Sequence, residues 1–107
     1  MPLSAKNKPL PRTTMSEPIF LEIVFKNADF PFKGRDRVED PLFDALEEAG
    51  VGEVTGGGGG SETCNIDVEV TDLQKGLEVI RTTLRSLGCP ASTEIHQHQP
   101  QHTIHRL

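Results

Sequence analysis

The sequence predicts a small α+β domain with two helices and four strands. Five consecutive glycines, Gly56–Gly60, divide the chain into two parts of similar pattern. Each part predicts a strand, a helix and a strand, because alternating apolar residues give way to apolar residues spaced three and four apart. A chain of 107 residues is long enough for one domain of this kind.

The first part begins with an apolar strand and continues into a helix. Residues 19–26, with the sequence IFLEIVFK, are apolar on nearly both faces, which is typical of a strand in the centre of a sheet. Asp40 followed by Pro41 predicts an N-cap and a first helical residue, and Gly50 predicts the end of that helix. Residues 53–55 predict a short edge strand, and the glycines that follow predict a flexible hairpin tip.

The second part alternates more regularly between apolar and polar residues. Residues 63–71 predict a strand whose inward set is Cys64, Ile66, Val68 and Val70. A capping box over residues 71–74 predicts the start of the second helix, and Gly88 predicts its end. Residues 93–97 predict the last strand.

The order β-α-β-β-α-β resembles the split βαβ plan of ferredoxin-like folds. The resemblance implies a four-stranded antiparallel sheet in the spatial order 4-1-3-2, with both helices on one face and the other face open. We therefore predict a disordered basic arm over residues 1–17, a ferredoxin-like domain over residues 18–98 and a flexible His-rich tail over residues 99–107.

Charge is distributed unevenly along the chain. Lys6, Lys8 and Arg12 give residues 1–16 a charge of +3, whereas residues 17–107 hold 8 basic and all 16 acidic side chains, which gives −8. Nucleic-acid binding requires clustered cations, so an acidic domain predicts no nucleic-acid partner. The negative charge favours a basic protein as the partner.

The chain also lacks the signals of membrane and secreted proteins. No apolar run approaches the ~20 residues that a membrane span needs, and the N-terminus has no apolar secretory segment. Two cysteines are too few for a disulfide-rich scaffold. The sequence therefore predicts a cytoplasmic protein without a membrane partner.

The predicted open sheet face carries most of the candidate functional residues. Strand alternation places on it Glu22, Glu53, Asp67, Glu69, Glu94, His96 and His98. Carboxylates on neighbouring strands repel one another, so a cation, a basic partner or solvent is expected to offset the repulsion. The leading hypothesis is a non-enzymatic binding or regulatory module that associates with a protein partner or a second copy. Its contact residues would be Glu22, Asp67 and Glu69.

A metal-binding or metal-sensing protein is the first alternative. His96 and His98 lie on the same side of a strand, about 6.5–7 Å apart along it. With Glu22 from the neighbouring strand as a third ligand, they would suit zinc or copper.

An enzyme that acts on a small anionic substrate is the second alternative. The loop after the first strand contains Arg35 and Arg37, whose guanidinium groups can bind phosphate or carboxylate. No serine or cysteine lies in a recognisable nucleophile turn, so the sequence favours a binding protein over an enzyme.

Overall fold

The computed structural model describes residues 18–107, and the predicted basic arm over residues 1–17 lies outside the described part of the chain. Two helices pack on an antiparallel sheet of five strands. The elements are β1 (Ile19–Lys26), a 3-10 turn (Asn27–Asp29), α1 (Asp36–Ala49), β2 (Gly52–Gly59), β3 (Thr63–Val70), α2 (Leu73–Leu87), β4 (Glu94–Gln97) and β5 (Thr103–Arg106).

The strands lie in the order β2-β3-β1-β4-β5, and every neighbouring pair is antiparallel. The apolar strand β1 is central, since Ile23 lies opposite Ile66 of β3 and Ile95 of β4. The four predicted strands are neighbours in the expected order, and β5 extends the sheet beyond β4. The four-stranded ferredoxin-like plan is therefore only partly confirmed.

The fifth strand lies within residues 99–107, for which the sequence predicts a flexible His-rich tail and no strand. Gln97 lies opposite Thr103, and Glu94 lies opposite Arg106, so the chain turns back along β4. Polar contacts hold β5 in place: Arg81 Nε of α2 donates to the Arg106 carbonyl at 2.8 Å. The sequence pattern missed this strand because its partners are polar groups instead of buried apolar side chains.

Both helices begin at residues other than those predicted. Helix α1 begins at Asp36, and Pro41 lies inside it, because Val38 and Leu42 are both buried against the sheet on one helical stripe. Because Pro41 has no backbone N–H, a helix that begins at Asp36 lacks one backbone hydrogen bond at this position. In α2 the N-cap is Asp72, whose side chain accepts from the Lys75 N–H at 3.0 Å.

Four of the five consecutive glycines, Gly56–Gly59, belong to a strand, whereas Gly60 lies in the hairpin turn, where its N–H donates to the Thr63 carbonyl. β2 continues to Gly59, and its glycines lie opposite residues of β3, with a β-bulge between Val54 and Gly56. The ladder with β3 holds these glycines in the extended conformation. Glycine has no strand preference of its own, so the sequence alone favoured a flexible tip.

The hydrophobic core lies between the two helices and one face of the sheet. Its fully buried members include Leu21, Ile23, Phe25, Val38, Leu42, Leu46, Ile66, Val68, Val70, Ile80, Leu84 and Ile95. The opposite parity of each strand faces away from the helices and forms the open face. Over residues 18–107, no helix is both long enough and apolar enough to cross a membrane.

Candidate functional site

The open face of the sheet divides into two regions of different chemistry. The acidic half, on β2 and β3, consists of Glu53, Asp67 and Glu69. The histidine half, on and beside β4 and β5, consists of Glu94, His96, His98, His102 and Arg106. β1 separates the two halves and contributes Phe20, Glu22 and Val24.

Carboxylates face carboxylates in the acidic half. Glu53 lies directly opposite Glu69, and Glu22 of β1 lies directly opposite Asp67. No Lys, Arg or His nitrogen of residues 18–107 lies within 4.0 Å of a carboxylate oxygen of Glu53, Asp67 or Glu69. Like charges placed directly opposite each other destabilise a sheet, so these side chains raise the free energy of the isolated domain.

Asp67 occupies a special position within the acidic half. Its Oδ1 accepts a hydrogen bond from Asn65 Nδ2 at 2.8 Å, which fixes the orientation of the carboxylate. On the neighbouring β2, Gly56 lies opposite Asp67 and Gly58 lies opposite Asn65. These glycines have no side chains, so β2 is bare backbone where it lies opposite Asp67 and Asn65. The nearest β2 side chain is that of Thr55 in the bulge, whose hydroxyl donates to the Asp67 carbonyl at 3.3 Å.

A chain of hydrogen bonds orders the histidine half. A carboxylate oxygen can only accept, so His96 Nε2–H donates to Glu94 Oε1 at 2.9 Å and His98 Nε2–H donates to Glu22 Oε1 at 3.1 Å. In neutral His96 the other nitrogen, Nδ1, then accepts from His102 Nε2–H at 2.8 Å. These partners assign the same tautomer to all three imidazoles.

The negative charge of Glu94 is stabilised by two hydrogen-bond donors on the open face, His96 and Arg106. The hydrogen bond from His96 lowers its pKa, with Arg106 acting in the same direction and partial burial opposing both. Arg106 Nη1 donates to Glu94 Oε2 at 2.7 Å across the β4–β5 ladder. The carboxylate therefore bridges an imidazole and a guanidinium.

The metal ligands predicted from the sequence lie close together but do not converge. The rings of His96 and His98 stack at 6.1 Å between centroids, while Glu22 contacts His98 alone. Two nitrogens on one tetrahedral zinc lie roughly 3.3 Å apart, longer than the 2.8 Å between His96 Nδ1 and His102 Nε2. Lone pairs lie in the ring planes, so stacked rings do not aim at one point. No set of three His, Cys, Asp or Glu side chains is placed to hold a metal within residues 18–107.

The two arginines predicted to bind an anion, Arg35 and Arg37, have different surroundings. Arg35 is half-buried; its Nε lies 3.8 Å from Glu39 Oε2, and its Nη1 donates to the Asn65 carbonyl at 3.5 Å. Arg37 is exposed in the first turn of α1. Side chains two residues apart on a helix do not face each other, so the pair does not form a clamp.

Sequence reasoning missed a cationic groove between α2 and β5. The groove has a volume of about 500 Å³, and its charged lining residues are Lys75, Glu78, Arg81, Arg85 and Arg106. Arg81 and Arg85 also donate to the backbone carbonyls of Arg106 and Leu107, so two of these cations hold β5 in place. Arg81 and Arg85 are four residues apart and therefore share one face of α2. This spacing indicates a groove only once β5 is known to lie beside that face, and β5 was not predicted.

Neither thiol is suited to nucleophilic chemistry. Burial raises the pKa of Cys89 to about 11, and burial also raises the pKa of Cys64 despite the opposing charge of Arg35. Both groups are therefore neutral thiols at pH 7, whereas the nucleophile is the thiolate.

Comparison of the chain with family models, curated proteins and solved structures found no match.

Proposed function

We propose that the protein is a non-enzymatic binding module that holds a basic partner protein against the acidic half of its open face. The observation that carries the proposal is the pair of directly opposed carboxylates on each side of β3: Glu53 with Glu69, and Glu22 with Asp67. The residues predicted as contacts from the sequence, Glu22, Asp67 and Glu69, are three of these four.

A basic partner would remove the repulsion between the opposed carboxylates. The Glu53–Glu69 pair costs the free domain about 0.2–1 kcal/mol. The Glu22–Asp67 pair costs less, because Glu22 accepts a hydrogen bond from His98. A cation placed between two carboxylates attracts both, so binding gains the attraction and also cancels the repulsion. Hydrogen bonding to Asn65 keeps Asp67 oriented before the partner arrives, which lowers the entropy lost on binding.

An apolar side chain beside the carboxylates supports the same partner chemistry. Phe20 of β1 is 40% exposed, lies opposite Glu69 and projects from the open face. Lys and Arg carry aliphatic stems that pack on such a ring while their charged ends reach the acids. A net charge of −8 over residues 17–107 also steers basic proteins towards the domain.

Charge reversal tests the proposal. The probe is a peptide of alternating lysine and threonine, as long as β2, titrated by isothermal calorimetry at low and high salt. We expect Asp67→Lys/Glu69→Lys to weaken binding about tenfold or more, since two surface charge pairs become repulsive.

The matched control is Glu47→Lys/Glu48→Lys, which makes the same change in net charge on the exposed surface of α1. We expect this variant to lose only the part of the affinity that long-range attraction supplies. Equal losses in the two variants would show that net charge, not the acidic half, binds the peptide.

Metal binding is a second candidate because three imidazoles are gathered in the histidine half. His102 stacks on His98 at 4.9 Å and on His96 at 5.0 Å between ring centroids, which adds a ligand to the pair predicted from the sequence. Zinc would have to break the hydrogen bonds of His96 and rotate the rings.

Thermal unfolding with and without zinc tests this candidate. We expect zinc to raise the melting temperature at pH 7.5 and to lose this effect near pH 5.5, since bound imidazoles must be neutral. The double variant His96→Ala/His98→Ala should not respond, whereas His105→Gln, on the other side of the sheet, should respond as the unmodified protein does. A response that survives the double variant would remove the candidate.

The remaining expectations stay predictions. They are a homodimer through the open face, a cytoplasmic location and an anion-binding role for Arg35 and Arg37 in an enzyme. The engagement of Arg35 with Glu39 and the Asn65 carbonyl gives the enzyme no support.

A further inference from the structure

β2 is an edge strand with an unusual composition. Among the described residues it pairs only with β3, so its other edge has no strand partner. Five of its 8 residues are glycine, namely Gly52 and Gly56–Gly59. Edge strands are normally protected by charged side chains, proline, a β-bulge or a covering element, because free N–H and C=O groups pair with other chains. β2 has one bulge, between Val54 and Gly56, and an unbroken run of glycines after it. Glycine gives no such protection.

The hydrogen-bond pattern identifies the backbone groups that point outward from β2. The Thr71 N–H donates to the Val51 carbonyl and the Gly60 N–H donates to the Thr63 carbonyl, both at 2.8 Å. Bonded and non-bonded pairs alternate along an antiparallel ladder, and the bulge after Val54 resets the alternation. Counting back from Gly60, the backbone groups of Gly58 point towards β3. Those of Gly57 and Gly59 therefore point towards the free edge.

On the open face, the glycines of β2 lie between the free edge of the sheet and the acidic half. A side chain on Gly56 would lie 3.8 Å from Asp67 Oδ2, so the carboxylate sits directly above the space that this glycine leaves empty. Adjacent strands are about 4.8 Å apart, so a strand added beside β2 would lie about 10 Å from β3. A lysine or arginine on the added strand is long enough to cross that distance over bare glycine backbone. A side chain on Gly56 or Gly58 would block the path.

We infer that the basic partner binds as a sixth strand: an extended, lysine- or arginine-bearing segment pairs with the outer edge of β2 and lays alternate side chains across the glycines onto Asp67. The inference rests on the proposed function and names how its partner binds. Backbone hydrogen bonds to Gly57 and Gly59 supply affinity, and the acidic half supplies specificity for alternating cations. The glycine run is then a path for the partner's side chains.

A matched pair of variants at Gly59 tests the edge. A Cβ at Gly59 meets Cys64 Cβ at 3.8 Å, an ordinary contact, so Gly59→Ala fits and keeps the outward N–H. Gly59→Pro removes that N–H and leaves the inward ladder of Gly58 intact. With the same lysine–threonine peptide, we expect Gly59→Ala to bind like the unmodified protein and Gly59→Pro to bind about fivefold more weakly.

Two further measurements do not depend on how well the proline variant folds. On binding of the peptide to the unmodified protein, exchange of the Gly57 and Gly59 amide hydrogens should slow strongly, while already bonded amides of β3 change little. A peptide of the same sequence with alternate backbone N-methyl groups keeps its charges but cannot pair with an edge, so it should bind at least fivefold more weakly. Equal binding of the methylated peptide, or unchanged exchange at both glycines, would overturn the inference.

The outcomes separate this inference from the proposed function. If reversal at Asp67 and Glu69 abolishes binding while Gly59→Pro has no effect, the acidic half binds the peptide and the edge inference is overturned. If a glutamate–threonine peptide binds as tightly as the lysine peptide, the edge is used but its basic occupant is wrong. If sedimentation shows a dimer that Gly59→Pro dissociates and no peptide binds, the occupant is a second copy and the inference is overturned.

Discussion

The acidic half and the histidine half lie on the same face of one sheet, yet their carboxylates are in opposite situations. Glu94 accepts hydrogen bonds from both His96 and Arg106, whereas Glu53 and Glu69 face each other across β2 and β3. Whether a carboxylate on this open face is paired with a cation or faces another carboxylate therefore depends on its cross-strand neighbour. The position of a carboxylate in the strand alternation only places it on the open face and does not decide whether it is paired.

The cause of the difference lies at the two edges of the sheet. Beyond β4, the chain adds β5, which brings Arg106 opposite Glu94. Beyond β3, the chain adds a glycine-rich strand that brings no cation to Asp67 or Glu69. One edge therefore supplies a cation to the neighbouring carboxylate, whereas the other leaves the carboxylates of β3 without a cation within 4.0 Å among residues 18–107.

The largest effect expected from this comparison is a loss of stability on neutralising Glu94. Glu94→Gln should lower the free energy of unfolding by about 1 kcal/mol, because it replaces charge-assisted bonds from His96 and Arg106 with a neutral amide. Urea unfolding at pH 7 measures the change, and Glu48→Gln on the exposed surface of α1 is the control. A loss no greater than that of the control would mean that the histidine half is not stabilised by this carboxylate.

The same variant has a defined pH dependence. The pKa of Glu94 is lower in the folded state than its ordinary value of 4.5. Its contribution to stability is therefore fully present above that ordinary value and is lost as the pH falls through the lower folded value. The difference between the unmodified protein and Glu94→Gln should accordingly shrink as the pH drops below 4.5.

An effect of opposite sign and smaller size is expected in the acidic half. Glu69→Gln should raise the free energy of unfolding by about 0.5 kcal/mol, because it removes the repulsion from Glu53. Glu53→Gln should give a similar gain, and the double variant should gain less than the sum, since both remove one interaction. High salt should shrink the gain. A loss of stability in either single variant would contradict the comparison.

The smallest effect concerns His105, which lies on the helix-facing side of β5. Burial lowers its pKa below 6.5, and the charge of Arg81 adds to this effect, while Nε2 hydrogen-bonds Gln97 Oε1 at 3.0 Å. The unfolded chain takes up this proton more readily, so His105 lowers stability as the pH falls below 6.5. His105→Gln should make the decline between pH 7.5 and 5.5 shallower.

The decline that remains in His105→Gln would come from groups other than His105. Measuring both proteins by urea unfolding therefore isolates the contribution of His105. An identical decline in the two proteins would show that burial does not hold His105 neutral.

Much of the fold and part of the site followed from local patterns. Alternation over residues 63–71 already identified Ile66 and Val68 as inward and Asp67 and Glu69 as outward, because the side-chain period of a strand is two. The alternation alone therefore places Asp67 and Glu69 on one face. The pattern did not show that Asp67 would be opposed by Glu22, since register is a property of two strands.

The unpredicted features all depend on contacts between distant residues. β5 was missed because Arg81 of α2 and Gln97 of β4, not local propensity, hold it to the sheet. His102 was assigned to a tail for the same reason. The early start of α1 at Asp36 depended on burial of Val38, which outweighs the hydrogen bond lost at Pro41.

The sequence by itself determined the inward side chains of residues 63–71, the order of the first four strands along the chain and the negative charge of the domain, because these follow from local spacing and from counting. Only the tertiary structure decided which carboxylates are neutralised and which face each other, because that depends on register across β1, β3 and β4. It also decided that the glycines form an edge strand. Glycine carries no side-chain signal, so its conformation is set by the ladder it joins.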